Sequence, residues 1–210
     1  MHQLLDCLSI ALRLPQAESL SGYHAKSQFD FGLLHYPALS TQLLRSGTLA
    51  RIPSHSDIGT LTLLFQDSIG GLEIADLGSA STLNSAEFEK QGKFRHVKPL
   101  SDTVIVNVGY LLMRWSNGRW RNTIHRVVEP PLLRQGVVLD DADASRDTKK
   151  DTGTLDGISP ARYSIPFSAA PDPETIVQAL PGCWSEEVPK RWKPINAGNY
   201  LRRKREGMYA

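Results

Sequence analysis

The sequence predicts a mainly β protein, a sandwich or barrel of jelly-roll type with flanking helices, on three observations. Short runs rich in β-branched and aromatic residues recur along the chain. Turn-forming residues separate them, and helical periodicity is confined to the two ends. In order, Leu4, Leu5, Leu8, Ile10, Ala11 and Leu12 approximate one face of a helix packed against the sheet. Strands are expected over 31–36, 60–66, 71–75, 94–98, 103–108, 123–128 and 162–167. Ser116-Asn117-Gly118 reads as a hairpin turn, because Asn-Gly tolerates positive φ. Leu61, Leu63, Phe65 and Phe167 are read as residues that fill the barrel. The polar stretch 140–159, with Asp140-Asp141-Ala142-Asp143 and Lys149-Lys150-Asp151, reads as an inserted flexible loop, since dense charge cannot repay chain ordering by burial. Residues 79–92 read as a smaller polar insertion of the same kind. Arg202-Arg203-Lys204-Arg205 reads as the solvated face of a terminal helix.

A chain of 210 residues with 40% hydrophobic residues can bury one sizeable core, so a single domain over 1–210 is expected. The formal net charge of +2, from 24 Lys and Arg against 22 Asp and Glu, implies no polyanionic partner, and no nucleic-acid role is expected without a broad basic surface carrying stacking aromatics. Cys7 and Cys183 lie at opposite ends, which argues against a disulfide framework and suits a reducing cytoplasm. No run is long and apolar enough for a membrane span, and Asp6 interrupts an apolar start that has no basic segment before it, so no signal peptide is expected. A monomer is expected, and no internal repeat is present.

Chemistry enters with His55 and Asp57, in Pro53-Ser54-His55-Ser56-Asp57, and with the distant His125 in Asn122-Thr123-Ile124-His125-Arg126-Val127-Val128. On an extended strand, positions i and i+2 share a face, so the His-x-Asp pair offers a nitrogen and a carboxylate oxygen to a common point. His125 would arrive from another strand whose alternation puts Thr123, His125 and Val127 on one side. Two imidazoles and one carboxylate on one side of an ion suit non-haem Fe(II), and zinc hydrolases use the same donors, so spacing gives a metal but not an element. The alternative is a polar surface loop and an unrelated core histidine.

A second constellation is Arg162-Tyr163-Ser164, where alternation sends Arg162 and Ser164 one way and Tyr163, Ile165 and Phe167 the other. A guanidinium fork with a neighbouring hydroxyl matches a carboxylate. An ordinary strand with an exposed arginine is the alternative.

In this order the motifs resemble the isopenicillin N synthase-like family of Fe(II)- and 2-oxoglutarate-dependent dioxygenases. Gly70-Gly71-Leu72-Glu73-Ile74, Phe94-Arg95-His96-Val97-Lys98-Pro99, Val104-Ile105-Val106-Asn107-Val108-Gly109 and Trp115-Ser116-Asn117-Gly118-Arg119-Trp120 are similar to that family's segments, and Pro194-Ile195-Asn196-Ala197-Gly198-Asn199-Tyr200-Leu201 is similar to fungal members. The resemblance implies a double-stranded β-helix with Fe(II) held by His55, Asp57 and His125. It implies 2-oxoglutarate held by Arg162 and Ser164, with Tyr36, in Leu34-His35-Tyr36-Pro37, as a further contact. Arg162 would balance the negative charge of the cosubstrate in a buried site. The activity implied is hydroxylation or desaturation of a small-molecule substrate by O2, with oxidative decarboxylation of 2-oxoglutarate to succinate and CO2, in specialised metabolism. No side-chain general base is required, and the cofactor chemistry carries the reaction.

The sequence departs from the family pattern at four places. Leu34 stands where the family has Asn, Tyr110 stands where it commonly has Asp, the path from His125 to Arg162 is long, and the amino-terminal region is short. Two further readings stay open: an oxidase of the same fold that uses no keto acid, since some members of the resembled family retain Arg-x-Ser for other purposes, and a noncatalytic metal-binding remnant that has lost its substrate wall.

Overall fold

The computed structural model describes residues 1–76, 85–130 and 157–207. Along the chain run α1 (His2–Ala11), β1 (Phe29–Phe31), β2 (Leu34–Tyr36), β3 (Leu39–Ser40), α2 (Thr41–Arg45), β4 (Ile52–His55), β5 (Leu61–Gln66) and β6 (Leu72–Ala75). There follow α3 (Ser85–Gln91), β7 (Phe94–His96), β8 (Ile105–Val108), α4 (Tyr110–Trp115), β9 (His125–Val127), β10 (Ile158–Ser159), β11 (Arg162–Ala169), β12 (Ile176–Val177), β13 (Ile195–Asn196) and the helix α5 (Ala197–Glu206). The larger sheet has the order β1-β11-β5-β8, with β2 also paired to β11, and the smaller one the order β4-β9-β6-β7. Every pairing in both is antiparallel. The two sheets face each other across a cavity of about 500 Å³ lined from both sides, the jelly-roll arrangement that the short-strand pattern predicts.

On β11, Arg162, Ser164, Pro166 and Ser168 turn to the cavity, so the predicted alternation holds. The inner face is therefore mixed, with Arg162, Ser164 and Ser168 of β11 beside Leu34, Leu64 and Ile105 of the strands around it. Strand pairing places Phe31, Phe167, Leu63 and Val106 side by side on the outer face, where Phe31 is 64% and Val106 49% exposed. The filling role expected of Leu63, Phe65 and Phe167 is thereby corrected, because β5 sends Thr62 and Leu64 into the cavity instead, while Leu61 is buried as expected at 1% exposure. The parity of β5 was ambiguous in the sequence, where Leu61, Leu63, Leu64 and Phe65 run together.

The main apolar core lies outside the sheets. It gathers Leu5 from α1 and Leu12 at its carboxyl cap, Leu111, Leu112 and Trp115 from α4, Ala197 and Leu201 from α5, and Leu20, Val177 and Leu180. Burying such leucines contributes roughly 1.5–3 kcal/mol each. The amino-terminal helix forms as expected, although Ile10 faces solvent at 77% exposure. A smaller cluster of Tyr36, Leu72 and Val127, with Leu34, Ile52, Leu64, Val97 and Ile105 against it, lies between the sheets, and most of its members line the cavity.

Two local expectations change. Asn117 and Gly118 do take positive φ, 51° and 79°, but they close α4 rather than a hairpin: Gly118 N–H donates to Met113 C=O at 2.8 Å. The stretch 79–92 is not wholly an insertion, because its described part forms α3, with Phe88 fully buried edge-on against Phe94 at 5.1 Å. Residues 79–84 lie outside the described residues, as do residues 140–156 of the expected loop; Gly157, Ile158 and Ser159 are described and carry β10 beside β3. Among the described residues, no helix is long and apolar enough to cross a membrane.

His24 is fully buried in the helical core, its Nδ1 donating to Leu20 C=O at 2.7 Å and its Nε2 2.9 Å from Thr60 Oγ1. Burial holds its pKa below the ordinary 6.5, outweighing the Leu20 carbonyl and Asp172. The unfolded chain therefore binds the proton more readily, so this contribution to stability is complete above about pH 6.5 and shrinks as pH falls below it. Thermal melts of wild type should fall between pH 7 and pH 5. His24→Gln should melt lower at pH 7 yet lose less over that interval, and an identical pH slope for the two proteins would contradict the assignment.

Candidate functional site

β4 does not deliver its histidine by simple alternation. Ile52 pairs with Val127 and His55 with His125, so three steps on β4 match two on β9, and a bulge lies between. A regular strand would send positions 52 and 55 to opposite faces. The bulge turns both into the cavity. Asp57 lies just past the strand, so the expectation that one extended strand aims both His55 and Asp57 is replaced by a loop held from the other side. Tyr110 N–H donates to Asp57 C=O at 2.8 Å, Leu111 N–H to Gly59 C=O at 2.9 Å and Gly109 N–H to Thr60 C=O at 2.9 Å. A side chain at Gly109 would collide with the Gly59 carbonyl, so only glycine lets α4 start this close.

His55, Asp57 and His125 converge, each offering a donor atom within 4.8 Å of the others. His125 Nε2 is 3.7 Å from Asp57 Oδ1, and the imidazole centroids are 4.2 Å apart. Each ring is oriented by the carbonyl two residues before it, His55 Nδ1 with Pro53 at 2.9 Å and His125 Nδ1 with Thr123 at 3.0 Å. A carbonyl only accepts, so each Nδ1 carries a hydrogen, and in the neutral ring Nε2 keeps a lone pair for a metal. Burial, and then the neighbouring His125, hold the His55 pKa below 6.5, against the Pro53 carbonyl and Asp57. Asn107 Nδ2 donates to Asp57 Oδ2 at 2.7 Å and fixes the carboxylate. The donor set, neutral nitrogens with one anionic oxygen facing a cavity, fits a divalent transition metal.

The second constellation lies in the same cavity. Arg162 is fully buried, its Nη1 donating to Ser164 Oγ at 3.1 Å and its Nη2 to Gln66 Oε1 at 2.9 Å, while its Nε has no partner. Tyr36, its register partner on β2, places its ring 4.9 Å from the guanidinium carbon. Among the described residues, no carboxylate pairs with Arg162. A buried cation with an idle donor is costly unless an anion joins it, so this end of the cavity fits a carboxylate ligand. All six expected site residues line one cavity. Leu34 lines it too, making its wall apolar there, whereas Tyr110 stacks its ring on Tyr200 at 5.2 Å and leaves the cavity alone.

Two residues went unnoticed in the sequence. Glu89 on α3 accepts from Ser54 N–H at 3.0 Å and from Arg126 Nη1 at 2.6 Å, so one carboxylate braces β4 and β9 next to His55 and His125. Burial raises its pKa, but the Ser54 and Arg126 hydrogen bonds outweigh that and leave it lowered. Arg51 Nη2 donates to the Pro160 carbonyl while its Nε and Nη1 are buried without partners; burial, and then the charge of Arg162, push its pKa down. Neither carries a local motif, and only the tertiary pairing reveals them.

Residues 33–135 match the family model described as the 2OG-Fe(II) oxygenase superfamily. A 2-oxoglutarate-dependent dioxygenase, frbA, from Dothideomycetidae sp. (strain 11243) is 37% identical over 93% of this chain and 50% of its own length. The proline hydroxylase buaE of Petromyces alliaceus is 34% identical over 85% of this chain and 46% of its own. Among solved structures, a full-length Neurospora crassa protein in complex with alpha-KG and thymine superposes with a TM-score of 0.73 and 27% identity, covering 99% of this chain and 52% of that one. The chain thus spans about half the length of the curated relatives it matches.

Proposed function

This chain belongs to the 2OG-Fe(II) oxygenase superfamily, and from that premise we propose that it is a 2-oxoglutarate-dependent dioxygenase acting on a small organic molecule. His55, Asp57 and His125 would hold Fe(II). Arg162 and Ser164 would hold the distal carboxylate of 2-oxoglutarate, with the Tyr36 ring beneath the guanidinium. The observation that carries the reading is the fully buried Arg162, without a carboxylate partner among the described residues, lining the same cavity as the three convergent donors. Bound together, the ferrous ion and the keto acid supply dioxygen activation and oxidative decarboxylation to succinate and CO2, with hydroxylation or desaturation of the substrate.

The protein's own residues bind and orient. The two Nδ1–H groups fix the imidazole tautomers, Asn107 fixes the carboxylate, and the Tyr36–Leu72–Val127 cluster gives the cavity an apolar wall. The motif order and the 115–120 segment support placement in the isopenicillin N synthase-like branch, with the double-stranded β-helix acting as one domain over 1–210. The free, separated Cys7 and Cys183 suit a cytoplasmic protein. The kinship with fungal enzymes such as frbA and buaE supports a place in specialised metabolism.

Adding Fe(II) and then 2-oxoglutarate without oxygen should produce the weak visible charge-transfer band of the chelate, and its absence would overturn the keto-acid assignment. On admission of oxygen, succinate should form in step with oxygen uptake. Uptake without succinate would instead indicate a same-fold oxidase, and binding without turnover a noncatalytic protein.

A further inference from the structure

The bulge that aims His55 into the cavity also takes a backbone donor out of the ladder. Between Ile52 and His55, neither Pro53 nor Ser54 has a register partner on β9, and proline carries no N–H. Ser54 N–H is therefore the amide donor that the bulge leaves to be satisfied elsewhere. Glu89 satisfies it from α3, a helix whose residues do not line the cavity. Its Oε2 accepts from Ser54 N–H at 3.0 Å and from the Ser54 hydroxyl, and its Oε1 accepts from Arg126 Nη1 at 2.6 Å. Each carboxylate oxygen serves one strand.

The Ser54 amide belongs to the same peptide unit that orients His55. That unit joins Pro53 C=O to Ser54 N–H and is trans, so its two polar groups point in opposite directions. Its N–H donates to Glu89, and its C=O accepts from His55 Nδ1 at 2.9 Å. Carboxylate, peptide and imidazole thus form one hydrogen-bonded chain ending at His55 Nε2. Bonds in such a chain polarise one another in the same sense, so the anion at one end makes the lone pair at the other a better donor to a metal. The second strand is tied to the same carboxylate. Arg126 follows His125, the register partner of His55, and its guanidinium is shared between Glu89 and Glu73, the latter 2.7 Å from Nε. Glu89 therefore joins the two strands whose separation sets the 4.2 Å between the imidazole centroids.

We propose that Glu89 is a positioning residue of the metal centre, acting on His55 through the Pro53–Ser54 peptide and on His125 through Arg126. The inference rests on the reading of His55, Asp57 and His125 as metal ligands. Attachment of α3 and contact by its carboxylate are separable. Phe88 is fully buried and docks the helix, whereas the Glu89 side chain is 40% exposed and its removal opens no void in the core.

Anaerobic Co(II) titration of the full chain, read through ligand-field absorption, tests this. Glu89→Ala should weaken Co(II) binding about 10-fold and displace the absorption bands of the saturated protein. Glu89→Gln keeps an amide oxygen for Ser54 N–H, and should fall between that variant and wild type. Phe88→Leu loosens α3 but leaves the carboxylate, so it should lower the melting temperature and keep the wild-type saturated spectrum. Wild-type affinity and spectrum in Glu89→Ala would overturn the proposal and leave the metal ligands standing. So would bands displaced as far by Phe88→Leu as by Glu89→Ala. Co(II) binding that is absent from wild type, or that survives Asp57→Ala, would instead overturn the ligand assignment and this inference with it.

Discussion

Asp57→Ala should weaken binding of Fe(II), or of Co(II) as a spectroscopic substitute, by more than about 100-fold, because it removes the only anionic donor of the three. What remains is a pair of neutral imidazoles and an Asn107 amide that no longer has a carboxylate to orient. Asn107→Ala keeps all three donors but frees the carboxylate to rotate, so its loss should be smaller, about 10- to 100-fold. Anaerobic titration with Co(II), followed through its ligand-field absorption, measures both. A tight Co(II) site surviving Asp57→Ala would mean that the ion sits elsewhere.

Arg162→Met should act in two opposite directions. The guanidinium is fully buried without an acidic partner among the described residues, so the empty protein bears an uncompensated charge that methionine would replace with apolar volume. Melting temperature without ligand should hold or rise. Affinity for 2-oxoglutarate should fall by more than about 100-fold, since a charge-assisted fork to a carboxylate is lost in a low-dielectric cavity. Metal binding should be unaffected, because Arg162 contacts none of the three donors. A variant that melts much lower and binds 2-oxoglutarate as before would show Arg162 to be a structural cation.

The mainly β class was legible in the sequence, and so were the residues that the fold brings together in the cavity. Each donor and the Arg-x-Ser pair belong to short motifs whose residue types carry their chemistry, and all six side chains meet in one cavity. The manner of delivery was not legible, because the bulge between Ile52 and His55 is a property of pairing with β9 and has no local signal. For the same reason the short strands β3, β10, β12 and β13, two residues each, escaped notice. α4 was missed because its six residues are fixed by contacts with the 57–60 loop and the helical core rather than by propensity. Glu89 was hidden inside a stretch whose polarity suggested solvent, although Phe88 beside it is fully buried.

The orientation of the larger sheet governs how the molecule behaves in a test tube. Its cavity side is committed to the interior, and Phe31, Leu33, Phe65, Val106 and Tyr163 meet bulk water in this chain. Stickiness of this origin does not weaken as Coulomb forces do when ionic strength rises, and sulfate or phosphate strengthens it. Salting out should therefore set in early, and dilution or mild amphiphiles rather than added sodium chloride should keep concentrated samples clear.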